Sequence, residues 1–179
     1  LDIRRALKSD SANVMEHYHD AVSNFHECQN LFALGYISIE ERAMAEELYF
    51  SALKRIQAIT EKQEEQPEKV PNLEETLADT YFGNFSVFQS LPDHWAIEQQ
   101  FPIMPIHRLK EEPTCHAVIA DITCDSDGKI DAFIDPKETK RVIQLHPFSG
   151  EDPYYIGVFL VGAYQETLGD LHNLFGDTN

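Results

Sequence analysis

CHAVIADITCDSDGKIDAFI, residues 115–134, is the stretch on which the fold turns. Cys115 to Ile122 and Lys129 to Ile134 read as short strands. Ser126-Asp127-Gly128-Lys129 between them is a hairpin signal, because Asp and Gly tolerate positive φ. Ile130, Ala132 and Ile134 alternate with Asp131 and Phe133, as in a strand with one face buried. Two further β-type runs follow, Arg141 to His146 and Tyr154 to Ala163. The last is nearly continuous in apolar residues, which predicts a central strand covered on both faces. These runs together predict a small mixed or antiparallel sheet.

Upstream the period changes. Val14, Tyr18, Ala21, Val22, Phe25, Cys28 and Phe32 recur at spacings of three and four, the signature of one helical face. Gly35 can end that helix in a left-handed cap. Ser38-Ile39-Glu40-Glu41 reads as a capping box, and Met44, Leu48, Ala52, Ile56 and Ile59 continue an apolar stripe, so residues 10–60 predict a helical hairpin. Residues 61–75, EKQEEQPEKVPNLEE, are charged and carry Pro67 and Pro71, which predicts a solvated linker and a boundary. Ala78 to Phe88 sets Tyr81, Phe82, Phe85 and Phe88 at helical spacing, and Leu91-Pro92-Asp93-His94-Trp95 marks the end of that helix and the next start. Pro102 and Pro105 frame an extended segment, Phe101 to Leu109. The predicted class is α+β.

Composition narrows the function. The 179 residues hold 14 Lys+Arg against 31 Asp+Glu, a formal net charge of −17. Nonspecific attraction to nucleic acid or an anionic membrane is disfavoured, and a cationic small substrate fits better. The longest apolar run, Tyr154 to Ala163, is far short of the ~20 residues that cross a bilayer. The opening Leu1-Asp2-Ile3-Arg4-Arg5 has no apolar signal segment and no initiator Met, and reads as a chain trimmed at its start. Three scattered cysteines, Cys28, Cys115 and Cys124, argue for a reducing compartment and hence the cytoplasm.

The densest polar cluster is Asp121-Ile122-Thr123-Cys124-Asp125-Ser126-Asp127-Gly128, a thiol and three carboxylates at a strand end. Its plainest reading is a hairpin with solvated turn formers. Asp125 to Asp131 also copies the middle of an EF-hand loop, but its ends place Thr123 at the first ligand position and Ile134 where a bidentate Glu belongs. Cys115, His116, Cys124, His146 and His172 lack the short spacings that structural zinc sites favour. A glycine-rich phosphate fingerprint and a GxSxG elbow are both missing, although a tyrosine could still hold a phosphate.

The run Ile119 to Asp131, the pair His146-Pro147, the segment PYYIGVFLVGAYQE (residues 153–166) and the segment GDLHNLFGDT (residues 169–178) closely resemble the bacterial biosynthetic arginine decarboxylase family. Tyr81 to Ser90 and Pro105 to Leu109 resemble it too, so the resemblance covers most of residues 76–179. The hairpin before residue 66 looks like the helical insertion that sets this family apart from shorter relatives. The resemblance implies a pyridoxal-phosphate enzyme with an alanine-racemase-like β/α barrel and a β-domain, its active site shared across a homodimer or higher homo-oligomer. It divides the chain into a helical insertion (residues 1–66), a linker and closing barrel segment (residues 67–110), and a mostly antiparallel β-domain (residues 111–179). The implied reaction converts arginine to agmatine and carbon dioxide for polyamine synthesis, with magnesium as an auxiliary ion. The family's cofactor lysine and phosphate loop have no counterpart here, so the segment alone is expected to be inactive.

By the same resemblance, Cys124 is the thiol offered to the partner subunit's cofactor. A thiol, with a reference pKa of about 8.5, is a reasonable proton donor near neutral pH where serine is too weak an acid. Asp125 would pair with the distal cation of the substrate, since a carboxylate can accept two parallel N–H groups from a guanidinium. It can share a site with Cys124 only if the strand has already become loop. Asp127 is either a supporting acid of the substrate site or a plain turn residue. Tyr164, in Gly162-Ala163-Tyr164, matches the tyrosine that reaches the cofactor phosphate. Glu166, Asp170 and His172 belong to a run the family shares, with no chemical role assigned beyond dimer contacts or support of the site. Outside this family, the competing classes are a calcium-binding module on Asp125 to Asp131 and an acidic interaction domain whose hairpin binds a partner.

Overall fold

The computed structural model describes residues 14–62, 70–137, 139–150, 152–169 and 172–175. The chain forms two compact units, Leu1–Leu77 and Ala78–Asn179.

In the first unit, α1 (Val14–Ala33) and α2 (Ile39–Thr60) form the expected hairpin, followed by the short α3 (Leu73–Leu77). Gly35 sits at φ 75°, the left-handed conformation that lets the chain leave α1. Ser38 then caps α2: its Oγ accepts from Glu41 N at 3.2 Å, and the Glu41 carboxylate accepts from Ser38 N at 2.7 Å. The packed face consists of Val14, Ala21, Tyr49, Ala52, Leu53, Ile56 and Leu73. Burial of Leu53 and Ile56 contributes about 1.5–3 kcal/mol each. Phe25 and Tyr49 stack with ring centroids 4.4 Å apart.

Two expectations change here. Ala52 and Ile56 of the expected α2 stripe are buried and Leu48 and Ile59 pack against the core, but Met44 is exposed and the packed face extends instead to Ala45, Tyr49 and Leu53. Leu73–Leu77 is helical and Leu73 is buried, where the charged composition predicts linker. The rest of that predicted linker, residues 63–69, lies outside the described residues.

The second unit is built on β3 (Cys115–Ala120). β1 (Asp79–Phe82) pairs with it in parallel from Asp79↔Ala117 to Phe82↔Ala120. β4 (Lys129–Ile130) and β5 (Ile143–Leu145) run antiparallel to β3. β2 (Ile103–Pro105) and β6 (Ile156–Val158) make a separate two-stranded antiparallel sheet. Among the described residues three short helices complete the unit: α4 (Val87–Ser90), α5 (Pro92–Ile97) and α6 (Tyr164–Leu168). The core gathers Val87, Leu91, Phe101, Ile119, Ile130 and Phe133.

Residues 78–88 are the largest departure from the sequence reading, being a strand, a turn and a helix start. Spacings of three and four over so short a window fit either structure. Gly83-Asn84 breaks the segment, Gly83 N donates to Ala120 O at 2.8 Å, and Ser86 restarts it as the cap of α4. The aromatic residues therefore do not share a face: Phe88 is buried and Phe82 is exposed. Pro92 opens α5 as expected, but of the extended segment expected over Phe101 to Leu109 only Ile103–Pro105 is strand, and Arg108 stands at φ 54° in the turn that follows.

Tyr154 to Ala163 is not a covered central strand. β6 spans only Ile156–Val158, and Leu160 stands at φ 61° with 86% exposure. An apolar run records a tendency to be buried, and here Tyr154 and β6 are only half-buried while Tyr155 is exposed. The alternation after Ile130 also fails: the ladder breaks, the chain re-pairs at Phe133↔Lys140, and Phe133 is buried while Ile134 is exposed.

Below the sheet, Tyr81 O–H donates to His146 O at 3.0 Å. Burial first, then the neighbouring Cys115 thiol, pushes the Tyr81 phenol up to about 12 from 10.0. A raised phenol favours the folded state while protonated, so its contribution is intact below pH ~10 and fades as pH rises toward 12. Urea midpoints should therefore fall between pH 10 and 12 in the wild type. The fall should be smaller in Tyr81→Phe, and equal falls would refute the linkage.

Candidate functional site

The acidic cluster is a loop, residues 121–128, that leaves β3 after Ala120 and enters β4 at Lys129. Asp121 organises it. Its carboxylate is 2% exposed and accepts from Val87 N at 2.9 Å, Thr123 N at 2.9 Å and Thr123 Oγ1 at 2.7 Å. Asp121 N in turn donates to Gly128 O at 2.8 Å, closing the loop at its base. The glycine has a different cause from the one its sequence suggests. Gly128 has no positive φ; a Cβ there would overlap Asp121 Oδ1 and Thr123 Oγ1.

Within this frame the predicted residues take distinct places. Cys124 is exposed, and its main-chain N–H donates to Asn173 O at 2.9 Å. Asp125 Oδ1 accepts from Asp127 N at 3.0 Å, and Asp125 O accepts from Gly128 N at 3.0 Å. Cys124 and Asp125 both lie past the end of β3, so strand alternation does not force them apart. The Asp127 main chain serves the turn through its carbonyl, which accepts from Lys129 N at 2.8 Å. Its exposed carboxylate has no hydrogen bond or ion pair among the described residues.

A return segment braces the loop from the far end of the chain. Thr123 and Leu174 form an antiparallel bridge, and Phe175 N donates to Ile122 O at 2.7 Å. His172 Nε2 lies 3.5 Å from Asp125 Oδ2. Its ring packs edge-on against Phe88, centroids 4.9 Å apart. Asp170 lies outside the described residues.

Tyr164 begins α6 and is 74% exposed; its phenol makes no hydrogen bond among the described residues. α6 is anchored by the buried Gln165, whose Oε1 accepts from Asp93 N at 3.2 Å and whose Nε2 donates to Asp93 Oδ2. No hydrogen bond, ion pair or ring contact joins Tyr164 to the Cys124 loop among the described residues.

His146, which follows β5, is fully engaged. His146 is 2% exposed, with Nδ1 2.8 Å from Tyr154 Oη and Nε2 3.0 Å from Glu111 O. The Glu111 carbonyl can only accept, so the ring hydrogen belongs on Nε2 and Nδ1 accepts from the Tyr154 hydroxyl, whose oxygen also accepts from His146 N at 2.9 Å. Both ring nitrogens are thus unavailable to a metal. Among the described residues no three His, Cys, Asp or Glu side chains gather as a metal site, which leaves the calcium and zinc readings without a ligand set. Nor is any described helix long and apolar enough to cross a membrane.

Asp121 as the brace and His172 as the neighbour of Asp125 were not assigned these parts from sequence. An acid at a strand end followed two residues later by Thr is a usable signal for the first. The second depends on a distant segment folding back, which no local pattern announces.

The architecture defines an α+β protein: a capped helical hairpin, then a sheet unit whose braced loop offers a thiol beside a carboxylate. Residues 2–74 match the family model of the arginine decarboxylase helical bundle domain. The chain is 55% identical to the biosynthetic arginine decarboxylase of Rhodopirellula baltica, over 94% of this chain and 25% of that protein. It is 51% identical to the Geotalea daltonii biosynthetic arginine decarboxylase, over 100% of this chain and 28% of that one. In fold it is similar to the crystal structure of the biosynthetic arginine decarboxylase SpeA from Campylobacter jejuni, with a TM-score of 0.74, 38% identity, and coverage of 94% of this chain and 25% of that chain. The chain is a homologue of the segment of biosynthetic arginine decarboxylases that these alignments cover, and spans about a quarter of their length.

Proposed function

We propose that this chain is part of a pyridoxal-phosphate-dependent arginine decarboxylase that converts arginine to agmatine and carbon dioxide. The observation that carries the reading is identity above half over nearly the whole chain to proteins named for that activity. The loop chemistry agrees with it. Cys124 presents an exposed thiol, and the adjacent Asp125 supplies a carboxylate for a distal guanidinium.

The donor set fits a contributing role toward the cofactor. Tyr164 is an exposed phenol with a free hydrogen, suited to a phosphate oxygen, and Cys124 is an exposed acid. When bound, the cofactor takes up the electron pair that carbon dioxide leaves behind. This chain's part is to orient the substrate through Asp125, with Asp127 as a second acid, and to place a proton on one face from Cys124 Sγ. A magnesium ion finds no ligand set among the described residues, and no step is assigned to it.

In this reading residues 1–66 are the helical insertion, 67–110 the closing segment of the β/α barrel, and 111–179 the β-domain, working in a cytoplasmic homo-oligomer with sites shared between subunits. The test is agmatine formation from arginine by the full-length polypeptide containing this chain, supplied with pyridoxal phosphate. Product that requires both arginine and the cofactor is expected. Turnover of lysine or ornithine in preference to arginine would overturn the substrate assignment, and no turnover of any basic amino acid would overturn the activity.

A further inference from the structure

We propose that His172 is a positioning residue that sets the plane of the Asp125 carboxylate for a cationic substrate; the inference rests on Asp125 being the anchor of that cation. The two oxygens of Asp125 have different duties. Oδ1 is held by its own turn, accepting from Asp127 N at 3.0 Å, and Oδ2 faces His172 Nε2 at 3.5 Å. A carboxylate tied at one oxygen can still rotate about its last bond, so the group opposite the second oxygen decides its orientation. A guanidinium meets both oxygens only when its plane matches theirs. The separation is long for a hydrogen bond, and Nε2 also faces the Asn173 amide nitrogen at 3.0 Å, so the imidazole acts on Oδ2 as a wall that limits its swing.

The imidazole has two contacts of its own, and its segment is tied to the loop. Phe88, 8% exposed on α4, meets its ring at 61° with centroids 4.9 Å apart. The Asn173 side-chain amide lies 3.0 Å from Nε2. The next residues are tied by main-chain bonds from Cys124 N to Asn173 O and from Phe175 N to Ile122 O. His172 thus moves with the loop it faces. The side chains of Asp125 and His172 remain 28% and 47% exposed, open enough to receive a ligand.

The test is steady-state kinetics with arginine on the full-length polypeptide containing this chain, comparing wild type, His172→Ala, His172→Gln, Asp125→Asn and the double variant Asp125→Asn/His172→Ala. His172→Ala should raise KM about five- to tenfold with kcat within about twofold, and His172→Gln, which keeps a polar group at similar reach, should recover most of the loss. In the Asp125→Asn background, His172→Ala should change kcat/KM by less than about twofold, since its effect passes through the carboxylate. An unchanged KM in His172→Ala, or its full effect persisting without the carboxylate, would overturn the positioning role. If His172→Ala does not fold, a wild-type KM in His172→Asn, whose shorter amide cannot reach Oδ2, would overturn it equally. Asp125→Asn with wild-type KM refutes the anchor itself, whatever His172 does, which separates the two failures.

Discussion

Replacing Cys124 with alanine in the full-length polypeptide is expected to lower agmatine formation by about 10²–10⁴-fold, the usual contribution of a positioned proton donor. The thiol is exposed, so its loss leaves no cavity and should not unfold the loop. Its neighbours hold by main-chain bonds that alanine keeps, including Cys124 N to Asn173 O. The defect should therefore fall on kcat, with KM for arginine nearly unchanged, because Asp125 stays in place. Product analysis sharpens the test: without the donor, protonation at a wrong position releases an aldehyde in place of agmatine. Wild-type rate and product from Cys124→Ala would make the thiol a bystander.

The second large effect concerns stability. Asp121→Ala removes the acceptor of three hydrogen bonds and leaves the main-chain N–H groups of Val87 and Thr123 without it in a buried setting. Each stranded donor costs about 1–3 kcal/mol, so a loss of about 3–5 kcal/mol is expected. Asp121→Asn should not rescue it fully, because its amide NH₂ would confront donors. Trp95 is the single tryptophan and lies on α5 of the same unit, so urea unfolding followed by its fluorescence reads the loss directly. A change below about 1 kcal/mol would show that the network adds little.

Elements set by neighbouring residues were legible in the sequence, and those set by distant contacts were not. The hairpin was legible because its signals are local: the spacing from Val14 to Cys28, the glycine at position 35 and the reciprocal cap of Ser38 and Glu41. Segment 78–88 was not, because Tyr81 and Phe82 are held as a strand by pairing with Ile119 and Ala120, which their own spacing cannot report. The run after Val158 misled for a related reason, since apolar side chains announce burial but not by what. At the site, the placement of Cys124, Asp125 and Asp127 in one loop was legible from Asp121 to Gly128. The brace beneath it and the imidazole beside it were not, because both are made by contacts across the fold.

The tie between residues 122–124 and residues 173–175 also sets an order of events on the ribosome. β3 can pair with β1 as soon as both have emerged, but the loop that follows waits for a segment made near the end of this chain. Contacts of such long sequence separation form late and slowly. During synthesis the Cys124 thiol is therefore present well before the segment around residues 173–175 that braces its loop.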